Sequence, residues 1–326
     1  MTMRTLVTGG AGFIGSHLVD NLLERRSEVT VLDNLTTGKV ENLEKALACG
    51  AELVEGDILD KEFVEQTLRE VSPNIVFHLA AQGEVQRSIE EPAFDATANV
   101  VGTINVLEAS RRQEVDRFVF ASTGGAIYGE GSEIDLPASE TTPERPLCPY
   151  GLSKLCGEQY LSLYRRMCDF NAVALRFANV YGPRQSPKGE SGAVAIFGEL
   201  LLAGSRPIVF GDGLQTRDFV FIDDAIQAVV AASESEARGP FNIGSGEQVS
   251  LLDLLSTMER ASSELDEDVR PAQADFRPDF DAPRSGEVRQ ISIDPSQARK
   301  VLDWVPRIEL EEGLALTLTD LAKRVD

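Results

Sequence analysis

Histidine is almost missing from this chain, with two residues among 326, His17 and His78. An enzyme so short of the commonest general base has to move protons with another side chain. Cations are scarce too: 31 Lys and Arg stand against 53 Asp and Glu, a formal net charge of -22. Such a balance excludes the broad basic face that grips nucleic acid, and any anionic ligand must be met by arginines gathered locally. The acidity is compatible with a high-salt milieu or with solubility alone. Four cysteines, Cys49, Cys148, Cys156 and Cys168, lack the paired spacing of metal ligands, so no metal is expected and a reducing compartment is the simpler setting. No run of about eighteen apolar residues occurs, and the first residues lack the basic segment and apolar stretch of a secretory leader. The expectation is a soluble cytoplasmic protein that binds neither nucleic acid nor membrane.

Hydrophobic residues at 42% suffice for a sizeable core, and the length suggests one large domain with a smaller appended lobe. The most informative stretch is Thr8-Gly9-Gly10-Ala11-Gly12-Phe13-Ile14-Gly15-Ser16-His17, set between an apolar run at 3–7 and an apolar-striped segment ending near Arg26. That order is strand, glycine turn, helix. Glycines remove Cβ atoms where the backbone turns tightly, where a pyrophosphate approaches main-chain N–H groups and where helix packs on strand. An anion then rests on the positive helix N-terminus. A second strand at 28–32 delivers Asp33 eighteen residues after Gly15, where a carboxylate can accept the hydroxyls of an adenosine ribose and repel a 2′-phosphate. NAD is therefore expected over NADP.

Further strands are predicted at 51–55, 75–79, 117–121 and 172–177, with helices between them, including a long one from about Asp95 to Arg112. This alternation predicts an α/β fold, a doubly wound parallel sheet of Rossmann type with helices on both faces. Ligands gather at the carboxyl ends of such strands. Asp57 and Ile58, residues 78–82, and Ser122 with Thr123 fall at those ends. Beyond Tyr181, glycine and proline loosen the pattern. Helices at 193–202 and 223–232, extended runs at 207–210 and 241–243, a helical tail from Ser250 and a surface connection at 264–283 are expected. The division is a dinucleotide-binding domain at 1–178, to which 219–245 returns, and a smaller substrate-binding α/β lobe at 179–326.

Tyr150 and Lys154 lie four apart after Pro149, neighbours on one face of a helix that starts there. With five tyrosines and seven lysines, such a pair arises by chance in about one chain in ten. A phenol near pKa 10 is a poor base. An ammonium at about 4 Å in an effective dielectric near 20 supplies about 4 kcal/mol, which brings the phenol close to neutrality. The tyrosinate could then take an alcohol proton while hydride leaves the same carbon for oxidised nicotinamide, with Ser122 or Thr123 bonded to the reacting hydroxyl.

Thr-Gly-Gly-Ala-Gly-Phe-Ile-Gly-Ser-His at 8–17, His-Leu-Ala-Ala-Gln at 78–82, Ser122-Thr123 ahead of Tyr128-Gly129, and Tyr150 with Lys154 come in order. They are followed by Leu-Arg-Phe-Ala-Asn-Val-Tyr-Gly-Pro-Arg-Gln at 175–185, Phe-Gly-Asp-Gly at 210–213, Arg217-Asp218 and Phe-Asn-Ile-Gly-Ser-Gly at 241–246. Over nearly its whole length the chain resembles the extended short-chain dehydrogenase/reductases, and in particular the bacterial and archaeal UDP-glucose 4-epimerases. The resemblance implies an NAD that is tightly bound and recycled, held by Gly9, Gly12, Phe13, Ile14, Gly15, Asp33, Asn34, Thr37, Gly38, Asp57, Ile58, Leu79, Ala80, Ala81, Gln82, Asn99, Ser122, Tyr150, Lys154 and Phe177. It implies that Tyr150 takes the proton of the sugar 4-hydroxyl as hydride passes to NAD, that the 4-keto sugar turns over, and that hydride returns to its other face. Lys154 would hold the nicotinamide ribose, and Thr123, or Ser122 because the segment before Tyr128 is one residue longer than in many relatives, would orient the 4-hydroxyl.

For the substrate, the resemblance implies Thr123, Gly124, Tyr150 and Asn179 at the sugar or diphosphate, and Arg217 and Arg284 on the diphosphate. It places Ala193, Val194 and Ile208, Val209 and Phe210 around the uracil, and Glu287 on ribose or sugar. Related 4,6-dehydratases carry Asp-Glu directly after the Thr, where this chain has Gly124 and Gly125, which disfavours elimination. UDP-glucose/UDP-galactose is the first expectation. UDP-glucuronate, whose carboxylate Arg184 or Lys188 could meet, and UDP-N-acetylglucosamine, gated by bulk near Ile291 or Ser292, are the alternatives. A non-catalytic NAD-binding regulator stands behind both. A homodimer formed through 95–112 and 150–168 is also implied.

Overall fold

Seven parallel strands form the central sheet of the computed structural model, which describes residues 2–187, 192–263, 265, 276–283 and 287–324. In chain order the strands are β1 (Arg4–Thr8), β2 (Glu28–Asp33), β3 (Glu52–Glu55), β4 (Ile75–His78), β5 (Arg117–Thr123), β6 (Ala172–Phe177), β7 (Asn179–Tyr181), β8 (Ile208–Phe210), β9 (Thr216–Arg217), β10 (Phe219–Phe221), β11 (Gly239–Ile243), β12 (Val249–Ser250) and β13 (Asp279–Asp281). The sheet runs β3-β2-β1-β4-β5-β6-β11, and the order reverses between β1 and β4. At such a switch point the loops after adjacent strands splay to opposite faces and open a crevice at the carboxyl edge.

The strands read as nearly continuous apolar runs because both faces are covered. On one face α1 (Phe13–Glu24) and α9 (Ile222–Glu234) bury Leu18, Val19, Ile226 and Val229 against Val7, Val31, Phe77 and Val119. The helices α2 (Glu44–Ala48), α3 (Lys61–Val71), α4 (Val85–Glu90), α5 (Pro92–Ala96), α6 (Gly102–Arg112) and α7 (Pro149–Cys168) come between. Of these, α3, α6 and α7 cover the other face, with Val64, Leu68, Val106 and Leu161 on Leu6, Val76, Phe118 and Phe120. The period of two along β5 sends Phe118 and Phe120 one way and Val119 the other.

The rest of the chain holds α8 (Ala193–Leu202), α10 (Leu251–Ser262), α11 (Ser296–Leu302) and α12 (Leu310–Ala322), with the pairs β7–β10, β8–β13 and β9–β12. Two local expectations are corrected. The helix read from Asp95 begins at Pro92, whose ring suits a first turn, and is interrupted by a π-helical turn at Thr97–Val101. The connection at 264–283 contains a strand, β13, paired with β8.

Candidate active site

The glycine turn is close-packed as its sequence requires. A Cβ on Gly15 would lie 2.1 Å from the Gly9 carbonyl oxygen, and one on Gly9, at φ 71°, would lie 2.6 Å from the Ala80 nitrogen. Gly12 caps α1 without a side-chain bond, and no acidic residue occupies the first turn, so this helix keeps its N–H groups for an anion. Asp33 ends β2, 7% exposed, with its two carboxylate oxygens accepting from Ala11 N and Leu35 N at 2.9 Å each. Burial pushes its carboxyl above the usual range, while those two donors pull it down. Each oxygen keeps a lone pair for a ribose hydroxyl.

A cleft of about 580 Å³ runs along the carboxyl edge from this turn. Of the expected cofactor residues, Gly9, Gly12, Phe13, Ile14, Gly15, Asp33, Asn34, Thr37, Gly38, Asp57, Ile58, Leu79, Ala80, Ala81, Gln82, Ser122, Tyr150, Lys154 and Phe177 line it. Asn99 does not. It is 2% exposed behind the wall, where its amide bonds Gln82 N and O, Asp95 and Ser153, so it holds the Gln82 loop. The wall also includes Gly83 and Glu84 ahead of α4, Arg87 on α4, Phe94 on α5 and Ala98 in the π turn, none of which carries a motif. Arg87 stacks on Phe94 at 4.3 Å, and its spacing of seven was the available signal.

At the far end of the cleft stand Tyr150 and Lys154, on the first turns of α7. Lys154, 4% exposed, donates from Nζ to the Ala121 carbonyl at 2.8 Å, and its Nζ lies 6.0 Å from the Tyr150 ring centre. The close fit of α7 on β5 depends on Gly157, where a Cβ would meet the Phe120 ring at 2.6 Å. The two hydroxyls part company. Ser122 donates to Glu158 Oε1 at 2.5 Å, whereas the Thr123 hydroxyl has no hydrogen bond among the described residues. His78 is fully buried between Thr8 and Thr103, at 2.7 and 2.9 Å, and burial, then the Lys154 charge, brings its pKa down to about 3. His17 is held by the Pro183 carbonyl at 2.9 Å and lowered by burial. Neither lines the cleft.

A chain whose groove pairs a bare glycine-turned helix and a strand-end Asp with a Tyr and Lys four apart is built for nucleotide-linked redox chemistry. Residues 5–244 match the model of the NAD dependent epimerase/dehydratase family. The chain belongs to that family. Among relatives it is similar to the UDP-glucose 4-epimerase of Mycolicibacterium smegmatis, with 45% identity over 97% of each chain. Among solved structures it is similar to the UDP-glucose 4-epimerase of Thermotoga maritima with UDP-glucose, at TM-score 0.93 and 42% identity over 99% of this chain and 100% of that one. The Thermus thermophilus UDP-glucose 4-epimerase complexed with NAD matches at TM-score 0.89 and 41% identity over 98% of each.

Outside the lining of that cleft, Arg217 and Glu287 meet each other at 2.8 Å. Burial lowers the Arg217 guanidinium, and Glu287 works against that. Asn179 lies beside Gly125, its Oδ1 3.5 Å from where a Cβ would stand. Gly124 donates to the Phe177 carbonyl at 2.7 Å. Ile208 is half exposed, and Ala193 and Phe210 are partly covered, but Val194 and Val209 are core residues at 1% and 0% exposure. Their side chains cannot line an open subsite. Ile291 and Ser292 are both 1% exposed, so neither presents bulk to an open sugar pocket. Arg184 pairs with Asp20 at 2.6 Å through Nη2, while its buried Nη1 has no hydrogen-bond partner among the described residues. Arg284 and Lys188 lie outside the described residues.

Proposed function

We propose that this protein is a UDP-glucose 4-epimerase that works with bound NAD. The observation that carries the reading is the placement of Tyr150, Lys154 and the uncommitted Thr123 hydroxyl on one wall of a groove that begins at the Gly9–Gly15 turn. The groove fits the dinucleotide: the uncapped N-terminus of α1 faces a pyrophosphate, and Asp33 receives the ribose and rejects a 2′-phosphate. When bound, NAD accepts a hydride and gives it back.

The protein's own groups do the rest. Tyr150, as phenolate, takes the proton of the sugar 4-hydroxyl and returns it to the same oxygen once the sugar has turned. Lys154, fixed by Ala121, holds a positive charge beside the phenol. Thr123 orients the hydroxyl. Gly124 and Gly125 supply neither acid nor base. Arg217, with Arg284, binds the diphosphate, and Asn179 and Glu287 contact sugar or ribose.

The lobes divide at 1–178 with 219–245, and 179–326. Two subunits pair through 95–112 and 150–168, where Val101, Leu152, Leu163 and Met167 are exposed and the last three share one face of α7. The enzyme is cytoplasmic, in keeping with cysteines that are all free; among the described residues no helix is long and apolar enough to cross a membrane. Proton NMR of purified protein with UDP-glucose, UDP-glucuronate and UDP-N-acetylglucosamine in separate tubes tests the substrate. Conversion of the glucose compound is expected; conversion of either other sugar alone overturns that choice.

A further inference from the structure

Glu158 is a buried carboxylate with no part in the chemistry described so far, 8% exposed and two turns beyond Tyr150 on α7. Tyr150, Lys154 and Glu158 follow at intervals of four, which sets them along one face of the helix. That face docks on β5 at consecutive residues. Lys154 binds the Ala121 carbonyl at 2.8 Å and Glu158 accepts from Ser122 at 2.5 Å; the next residue is Thr123.

From β6, Arg176 closes the arrangement. At 1% exposure it donates to Glu158 from Nε at 3.0 and 3.1 Å and from Nη2 at 2.6 Å, and to Tyr128 and Glu144 at 2.8 and 2.7 Å. Tyr128 in turn donates to Asn242 on β11 at 2.7 Å. Register joins the two strands at this point: Ser122 pairs with Arg176, and Thr123 with Phe177, the residue lining the cleft. A side chain that grips both strands from the catalytic helix controls how that helix is turned and which of two adjacent hydroxyls is free.

We propose that Glu158 is a positioning residue: it takes the Ser122 hydroxyl out of the reaction, leaves Thr123 as the hydroxyl that meets the sugar, and fixes the rotation of the helix that carries Tyr150 and Lys154. This rests on Tyr150 being the base. The charged and titratable groups around Glu158 are Arg176 from β6, Glu144, Glu140 and Tyr128 from the segment between β5 and α7, and Lys154 and Arg165 on its own helix. Removing only the Glu158 charge leaves Arg176 less compensated, and the added positive field favours tyrosinate.

The test compares wild type, Glu158→Gln, Glu158→Asp and Ser122→Ala, each beside its Tyr150→Phe partner, so that the ultraviolet difference titrates the Tyr150 phenol alone. Glu158→Gln is expected to shift that titration to lower pH by about half a unit to one unit, and to cut kcat about 10- to 100-fold with KM within about twofold. Glu158→Asp is expected to restore the titration. Ser122→Ala retains the ion pair and serves should Glu158→Gln fail to fold; its kcat is expected to fall several-fold at unchanged KM, with the phenol titration unmoved. A wild-type titration in Glu158→Gln, or a kcat fall of about 100-fold or more in Ser122→Ala, which would make Ser122 the hydroxyl that meets the sugar, overturns the proposal. Wild-type turnover on UDP-glucose, read alongside, tests the epimerase assignment separately, because the phenol titration needs no substrate.

Discussion

Lys154 Nζ and the Ala121 carbonyl oxygen lie 2.8 Å apart, so the ammonium of α7 is fastened to β5 one residue before the serine and threonine of the site. This bond spends one of three protons and keeps the charge at 4% exposure, where water screens it little. Position and charge thus come from the same contact.

If that charge serves the Tyr150 phenol, Tyr150→Phe should lower kcat about 10²- to 10⁴-fold and leave NAD bound. Turnover on UDP-glucose and the absorbance of released cofactor measure the two. A variant that holds NAD and turns over at the wild-type rate contradicts the assignment of the base.

The glycine turn makes a second contrast. Gly15→Ala drives a Cβ to 2.1 Å from the Gly9 oxygen and 2.7 Å from the Gly10 Cα, both backbone, so folding and NAD retention should fail together. At Gly12 the nearest atom is the Gly9 oxygen at 3.2 Å, which a small shift relieves. Gly12→Ala should fold, melt within about 1 kcal/mol of wild type and lose NAD affinity, because its methyl group faces the groove. Thermal melts with isothermal titration of NAD separate the cases.

Histidine titration predicts a loss of stability in acid. His78 sits near pKa 3 when folded, below its ordinary 6.5, so beneath that value the unfolded chain gains a proton that the folded one refuses. Stability from this residue is complete above about pH 6.5 and falls as pH drops, by about 2 kcal/mol at about pH 5. His78→Gln should be less stable than wild type at neutral pH yet lose less between about pH 7 and about pH 5. Denaturant melts across that range check it; parallel curves for the two proteins contradict it.

Arg217 and Glu287 share an ion pair that a diphosphate would enter. Arg217→Gln should raise KM for UDP-glucose about 10-fold or more while kcat falls less, since the contact is made before and during the reaction alike. A lowered kcat at unchanged KM would move Arg217 from binding to chemistry.

The sheet and the cofactor groove were legible because their signals are local. A strand, a glycine turn and a helix occupy 21 consecutive residues from Arg4 to Glu24, and Asp33 follows at the end of the next strand. Tyr150 and Lys154 are one turn apart. What was not legible is set by partners far along the chain. Ser122 and Thr123 are equivalent as sequence, and Glu158, 36 residues later, separates them. Arg217 finds Glu287 at a distance of 70 residues. Val194 and Val209 are core residues, because which side of a short helix or strand is buried depends on what packs against it. Asn99 lies on an interrupted helix whose π turn no periodicity announces.

The central claim is that one hydrogen leaves the sugar and comes back to the same carbon. The most direct measurement uses UDP-glucose deuterated at C4, incubated with the purified protein in ordinary water without added NAD, and follows UDP-galactose by NMR and mass spectrometry. The account predicts UDP-galactose that retains its deuterium at C4. Product that has exchanged the label for solvent hydrogen would contradict it.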